Sequence, residues 1–381
     1  MNGERVMLLL MPRPGQTGTG GQAVRTLLVA DLQEAGCRVE FLDPEDARFH
    51  GLGRPLPGRV WQRLRFYLEV LRVARRHQAT DVVFDLYHFQ RLWPVPWLLK
   101  LLRPSARCHG IVQSPEKWVA GDEIEQRFAP WFFVGEGRRL RWNRRLGRWT
   151  ARACHQVLAA GPWMRQFMIE TVGVPARKVE AFGPGSGLVE APASAAPRLH
   201  GGNGDTWQPA DPAPIIGVGY VDPYKGVHRV IEALAMVEDQ AVRVDWLGDD
   251  RHHNPAYADW CRGLVVQHGL GTRFRFLGRL NREQVDAHYR QASALVSAAP
   301  YEGYGLNHLE AVVNGLRIIG PKDSASAWFT DQPESDLYSP GNRAELAEVL
   351  RDVLASTAHH RPRMPDSAAL PRLAHLLLRT R

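Results

Sequence analysis

Two acidic residues, Glu302 and Glu310, stand eight positions apart, with Gly303 and Gly305 between them. They lie in Ala298-Ala-Pro-Tyr-Glu-Gly-Tyr-Gly-Leu-Asn-His-Leu-Glu-Ala311, which joins an apolar run, Ala294 to Ser297, to a helical pattern, Gly305 to Asn314. A glycine loop between a strand end and a helix start offers backbone N–H groups to an anion. In a doubly wound sheet it also lies where ligands bind, beyond the carboxyl ends of the strands. A carboxylate on that helix, Glu310, can accept hydrogen bonds from ribose hydroxyls. Two solvated acids on an ordinary glycine loop is the plainer account of these residues alone. A second strand-to-helix turn, Gly219-Tyr220-Val221-Asp222-Pro223-Tyr224-Lys225-Gly226, carries a lysine whose compact charge can neutralise a diphosphate. Solvated turn lysines are nevertheless the commoner case. The strand end Phe276-Leu277-Gly278-Arg279-Leu280 offers backbone groups to a nucleobase edge. Asp249-Asp250 and His252-His253 suggest metal chemistry only superficially, because the histidine pair lacks a third ligand at metal spacing.

These segments must be positioned by regular elements, and the whole chain alternates strand and helix. Arg5 to Leu10 reads as a strand, Pro14 to Gly21 as a loop with four glycines, Gln22 to Ala35 as a helix closed by Gly36, and Cys37 to Leu42 as a strand. Helix Trp61 to His77 follows, with strands at Asp81 to Leu86, Cys108 to Val112 and Val157 to Ala160. Helix Pro162 to Thr171 and strand Val179 to Phe182 close the first half. Glu190 to Pro214 is rich in Pro, Ala, Gly and Asn, without periodicity, and reads as a linker or insertion. Beyond it, strands at Ile215–Tyr220, Val242–Leu247, Arg273–Leu277, Ala294–Ser297 and Arg317–Gly320 alternate with helices at 227–236, 255–268, 281–291, 305–314 and 343–356. Such alternation predicts parallel sheets covered by helices. The expected fold is therefore α/β, with two Rossmann-like domains facing each other across a cleft. The expected division is 1–189, a linker at 190–213, a second domain at 214–356 and a tail at 357–381 that packs back on the first domain.

Composition narrows the classes. The hydrophobic fraction is 44%, in the globular range. No run of 18 apolar residues predicts a membrane span, and the stretch Trp93 to Leu102 is too short and holds Lys100 and two prolines. No secretory leader is legible near Met1. The four cysteines form no CxxC pair, which points away from zinc ribbons and disulfide scaffolds and toward a reducing cytoplasm. The net charge is +8, carried by 43 arginines and five lysines, which suits an anionic partner without choosing one.

The ordered set Gly219…Lys225-Gly226, Leu247-Gly248-Asp249, Phe276-Leu277-Gly278 and Glu302-Gly-Tyr-Gly…Glu310-Ala…Gly315 resembles glycosyltransferase family 4. Pro14 to Leu42 and Gly173 to Val179 extend the resemblance into the first half. It implies the GT-B fold and transfer of sugar from a nucleoside-diphosphate donor with retention of anomeric configuration. Carried over to this sequence, Glu302 stands by the donor sugar hydroxyls, Glu310 binds ribose and Lys225 faces the diphosphate. Backbone around Gly303, Gly305 and Leu306 holds phosphate, Gly219 and Leu277-Gly278-Arg279 line the donor, and Gly20 and Gly21 let the first-domain loop approach it. His109, at an expected strand end, resembles the histidine near the sugar. No metal or separate cofactor is implied, and a UDP-sugar is favoured over a GDP-sugar. The chain departs from the pattern at Tyr220, where the family carries an arginine, and at Gly315-Leu-Arg-Ile and Pro321-Lys322-Asp323-Ser324.

A hexosyltransferase of carbohydrate biosynthesis is thus the leading expectation. Its acceptor would be a lipid-linked or cell-surface glycan, or a small natural product. A non-catalytic sugar-nucleotide-binding protein and a sugar-nucleotide epimerase are the alternatives. Arg138, Arg141, Arg145, Arg148 and Arg152 are spaced to form one helical stripe, with Trp142 and Trp149 one position on. A solvated helix face is the ordinary account. The sharper expectation is peripheral contact with an anionic membrane at its inner face by an otherwise cytoplasmic protein, with no nucleic acid partner.

Overall fold

The computed structural model of the chain describes residues 5–13, 20–44, 46, 56–86, 92–130, 133, 135–183, 213–303, 305–330, 336–355 and 370–379. Along the first half run β1 (Val6–Leu10), α1 (Gly20–Glu34), β2 (Arg38–Phe41), α2 (Leu56–Arg76), β3 (Asp81–Asp85), α3 (Val95–Leu102) and β4 (Arg107–Val112). Next come α4 (Glu123–Phe128), α5 (Arg138–Ala153), β5 (Gln156–Ala160), α6 (Gly161–Phe167) and β6 (Val179–Phe182). The second half holds β7 (Ile215–Val218), α7 (Val227–Ala235), β8 (Val244–Leu247), α8 (Pro255–Gln267), β9 (Phe274–Gly278), α9 (Arg282–Gln291) and β10 (Ala294–Val296). It ends with α10 (Leu306–Val313), β11 (Arg317–Pro321), β12 (Leu337–Tyr338), α11 (Arg343–Ala355) and α12 (Leu373–Arg379). The chain folds as two compact units: residues 1–120, 134–188 and 369–381 form one, and 121–133 with 189–368 the other. All four cysteines are free and buried.

The first unit is built on a parallel six-stranded sheet of order β2-β1-β3-β4-β5-β6. Its inner strands are largely apolar, VMLLL in β1 and VLAA after Gln156 in β5, because helices cover both faces. Phe66 and Val70 of α2, Val95 and Leu99 of α3, Ala151 of α5 and Met164 of α6 share one core with this sheet. The step from β1 to β2 runs opposite to the later steps, so right-handed crossover sends α1 to the other face, where it meets α12. The end of the chain is tied in by Arg5, which donates to the carbonyls of Leu377 (2.5 Å) and Leu378 (2.9 Å), and by Gln156, which donates to Leu376 (3.3 Å).

The second unit has the order β12-β11-β10-β7-β8-β9, also parallel throughout. Counted within the unit this is 6-5-4-1-2-3, the dinucleotide-fold order, whose direction reverses between β7 and β10. The first core packs Val230, Ile231 and Leu234 of α7 and Leu346 and Leu350 of α11 against Ile215, Val244 and Trp246. A second core on the opposite face holds Ile216, Leu295, Ile318, Leu309 and Tyr289. Residues 121–133, which the sequence places within the first domain, belong to this unit. Asp122 and Glu125 form a reciprocal capping box at the start of α4, and both carboxylates receive Arg229 of α7, at 2.5 and 2.9 Å.

Candidate functional site

The candidate site is built where the second sheet reverses direction. The chain leaves β7 through Gly219, whose φ of 142° and whose carbonyl, held by Trp246 Nε1 at 2.8 Å, fix the start of the loop. Gly248, after β8, presses against the same point: a Cβ there would lie 2.0 Å from the Gly219 carbonyl oxygen. Asp222 then accepts from the Tyr224 N–H and caps the short turn Pro223–Lys225. Gly226 closes that turn at φ 68°, and a Cβ on it would stand 2.2 Å from the carbonyl oxygen of Ala298 in the loop after β10. Only glycine at 226 lets the two loops come this close.

That approach brings together two residues 77 positions apart. Lys225 Nζ lies 2.6 Å from Glu302 Oε2, with 17% and 15% of the side chains exposed. Burial alone would raise the Glu302 carboxyl. The Lys225 ammonium, His308 and the Gly305 N–H outweigh it and hold the carboxyl below its ordinary range. The Glu302 backbone is fixed as well, since its carbonyl accepts from the Ala325 N–H at 3.0 Å. Gly303 is buried, and Gly305 turns into α10 at φ 66°. Leu306 opens the helix, so the partial positive charge of its first turn lies next to the ion pair. His308 is fully buried between Asn307 (2.9 Å) and Ser326 (2.8 Å), and burial pushes its imidazole down to about 4. This neutral histidine behind the ion pair was not singled out from sequence. Only its place two residues before Glu310 could have drawn notice.

Glu310 projects from the second turn of α10. It accepts from Tyr289 OH at 3.0 Å and pairs with Arg282, which also reaches Asp286 at 2.9 Å. A carboxylate has more acceptor sites than these two bonds use, so it can still receive hydroxyls. At the end of β9, Leu277 and Gly278 are half-buried and Arg279 is exposed. The Gly278 carbonyl already accepts from the Gly248 N–H at 3.0 Å, which leaves less free backbone at this strand end than its sequence suggests. Beside it opens a depression of about 610 Å³ lined by Asp250, Arg251, Pro255, Asp259, Arg262 and Phe276. Lys225 and Glu302 are not part of its wall.

Gly20 and Gly21 are the first residues of α1 in the other unit, and residues 14–19 before them lie outside the described residues. His109 requires correction. It is the third residue of β4, not a strand end, and is fully buried with Nε2 2.9 Å from Asp81 Oδ1. Asp81 also receives Arg5 (2.9 Å), Arg107 (3.0 Å) and Thr80 (2.9 Å). Burial would raise the Asp81 carboxyl, but these donors drive it far below its ordinary range. Burial holds His109 neutral against the pull of Asp81. The imidazole is thus committed to a charge cluster inside the sheet and presents no face to a ligand. Tyr220 stacks on His253 (centroids 4.6 Å apart, planes at 21°), and His253 Nε2 meets Asp222 at 3.3 Å, a carboxylate neighbour that sequence spacing hides. Among the described residues no group of three or more His, Cys, Asp or Glu is arranged to hold a metal ion.

Comparison with known proteins gives matches in both units. Residues 207–368 match the family model "Glycosyl transferases group 1", and residues 19–185 match "Glycosyltransferase Family 4". Sucrose-phosphate synthase from Thermosynechococcus elongatus superposes with a TM-score of 0.68 at 18% identity, over 94% of this chain and 92% of that one. HepE of Anabaena, solved in complex with UDP, superposes with a TM-score of 0.64 at 15% identity, over 99% of both chains. A segment of 142 residues is 28% identical to the D-inositol 3-phosphate glycosyltransferase of Corynebacterium efficiens, covering 36% of this chain and 33% of the relative. The match thus spans about a third of that curated relative.

Proposed function

We propose that the chain, which two glycosyltransferase family models match over residues 19–185 and 207–368, is a retaining family 4 enzyme of the GT-B fold. It moves a hexose from a UDP-sugar to an acceptor hydroxyl. The observation that carries this reading is the Lys225–Glu302 pair at the reversal point of the second sheet, beside the first turn of α10. In this reading Lys225 leaves Glu302 for the donor diphosphate, and the α10 N–H groups take further phosphate charge. Both act as preorganised electrostatics for the leaving nucleotide. Glu302, released from the ammonium, accepts from sugar hydroxyls and fixes the anomeric carbon for attack from the face the nucleotide leaves. Glu310 accepts from the ribose, and the nucleobase lies along the Phe276–Gly278 strand end. The UDP and UDP-glucose complexes of HepE support the choice of nucleotide. The work is done by a lysine and helix N–H groups, and no metal is required.

A panel of nucleotide sugars, scored by thermal shift and by mass spectrometry of released nucleotide, tests the reading. A UDP-sugar that stabilises the protein and yields free UDP with an acceptor supports it. Tight binding without any turnover would mean a binding protein, and interconversion of the intact sugar nucleotide would mean an epimerase.

A further inference from the structure

Among the described residues ten large apolar side chains are conspicuously exposed, and eight of them sit on α2, α3 and α5 of the first unit. Helix α2 contributes four, among them Trp61 at 65% and Leu68 at 63%; α3 contributes Leu101 and Leu102, and α5 Trp142 and Trp149. The three helices cover one face of the first sheet and touch in sequence, α2 to α3 and α3 to α5. Trp149 joins the last two directly, stacked on Trp97 with centroids 5.0 Å apart.

The same helices hold the basic surplus. They carry 14 Arg and Lys against one acid, Glu69. Their surplus of 13 exceeds the net +8 of the whole chain, so the remainder is net −5. On α5 the outward cations are Arg138, Arg139, Arg141, Arg145 and Arg152. Arg148, expected on that stripe, is instead half-buried and donates to the Val172 carbonyl at 2.7 Å. On α2 apolar and cationic residues alternate along one outward stripe, Trp61, Arg65, Leu68 and Arg72. Contact with the phosphates of nucleic acid would use the cations and leave the tryptophans and leucines in water. A bilayer surface uses both, with arginines at anionic headgroups and aromatic and aliphatic side chains in the interface. Among the described residues no helix is long and apolar enough to cross a membrane, so the contact is with the surface.

We propose that the outer surface of α2, α3 and α5 docks on a bilayer containing anionic lipid, with the α5 arginines at the lipid phosphates and Trp61, Leu68, Leu101 and Trp142 in the interface. This does not depend on the donor chemistry. The test is sedimentation of the full chain with phosphatidylcholine vesicles, with and without one-third phosphatidylglycerol, in low and moderate salt. Binding is expected only to the anionic vesicles and to fall with salt. R138E/R141E/R145E should weaken it on the order of a hundredfold, from the worth of each basic residue near a charged leaflet. W61S/L68S should weaken it at least about tenfold by removing apolar burial, yet leave binding to heparin and to duplex RNA unchanged. Because these variants could misfold, quenching of wild-type tryptophan fluorescence by lipids brominated in the acyl chain provides a second readout, and quenching is expected. No vesicle binding by wild type at low salt, undiminished binding by either variant, absence of quenching, or tighter binding to RNA than to vesicles would each overturn the proposal.

Discussion

Gly226 and Gly269 have nearly the same backbone, φ 68° and 65°, but different surroundings. Gly269 follows α8 in a cap where Leu270 N–H donates to the Val265 carbonyl at 2.9 Å, and a Cβ there would meet nothing within 4 Å. Gly269→Ala should therefore cost only the left-handed backbone strain, about 1 kcal/mol. At Gly226 the same strain applies, and the new Cβ stands 2.2 Å from the Ala298 carbonyl oxygen. An ordinary carbon–oxygen contact is about 3.3 Å, so one loop must retreat by roughly 1 Å. Overpacking of that kind adds about 1–3 kcal/mol. The displaced loops are those that carry Lys225 and Glu302, so UDP binding should weaken along with stability. Urea unfolding of both variants, with titration calorimetry of UDP, separates the two contributions. Gly269→Ala should keep UDP affinity and lose little stability, whereas Gly226→Ala should lose at least twice as much and bind UDP poorly. Equal stability losses in the two variants would refute the close-approach argument. Wild-type UDP affinity in Gly226→Ala would refute its link to the site.

Lys225→Ala should reduce kcat/KM by about 2–4 kcal/mol of transition-state stabilisation, with Lys225→Arg rescuing only in part, and wild-type activity should persist in excess chelator. Glu310→Gln should keep the Tyr289 contact but lose the charge that orders Arg282, raising the donor KM more than it lowers the melting temperature. Arg229→Met should cost about 3–5 kcal/mol, read by urea unfolding, because it strands Asp122 and Glu125 without their cation. Acid should destabilise the second unit through His308. His308 is held neutral when folded, so the unfolded chain takes up its proton first. Stability from this group is complete above about pH 6.5 and falls as pH drops toward 4, by up to roughly 3 kcal/mol. His308→Gln should flatten that slope in unfolding curves taken at successive pH values.

The alternation of strand and helix was legible because parallel strands buried on both faces must be apolar throughout, as in Val6–Leu10 and Ile215–Val218. The loops after β7 and β10 were legible for the same reason, since glycines and charges stand out between apolar runs. Their convergence on one donor was implied only by the family resemblance, because Lys225 and Glu302 are brought together by strand order, which no local pattern encodes. Helix α3 was hidden by the prolines in Trp93–Leu102, which sit at its start, where a missing N–H costs nothing. Strand β12 is two residues long, too short for a period. His109 misled because its place at an expected strand end suggested a side chain open to a ligand, whereas Asp81, 28 positions away, makes it a residue of the sheet interior. The α5 stripe was drawn from spacing alone, which could not show that Arg148 turns back to cap the Val172 carbonyl.

The division of the chain into interleaved pieces bears on how the molecule is made. The second unit borrows α4 from early in the sequence, and Asn254 Nδ2 secures it through the Phe128 carbonyl at 3.0 Å. The first unit borrows α12 from residues 373–379. A nascent chain that has emerged as far as residue 188 therefore exposes α4 without Arg229 and leaves the Arg5 guanidinium without the α12 carbonyls. The first unit therefore waits for the last helix, and the second holds α4 unpaired until its own later residues, Arg229 and Asn254 among them, have been made. A fragment cut at the 190–213 connection would inherit the same defect, with Arg229 buried and its two carboxylates on the discarded piece. The molecule is divided in space but not in sequence, and it should be expressed, truncated and recombined as one piece.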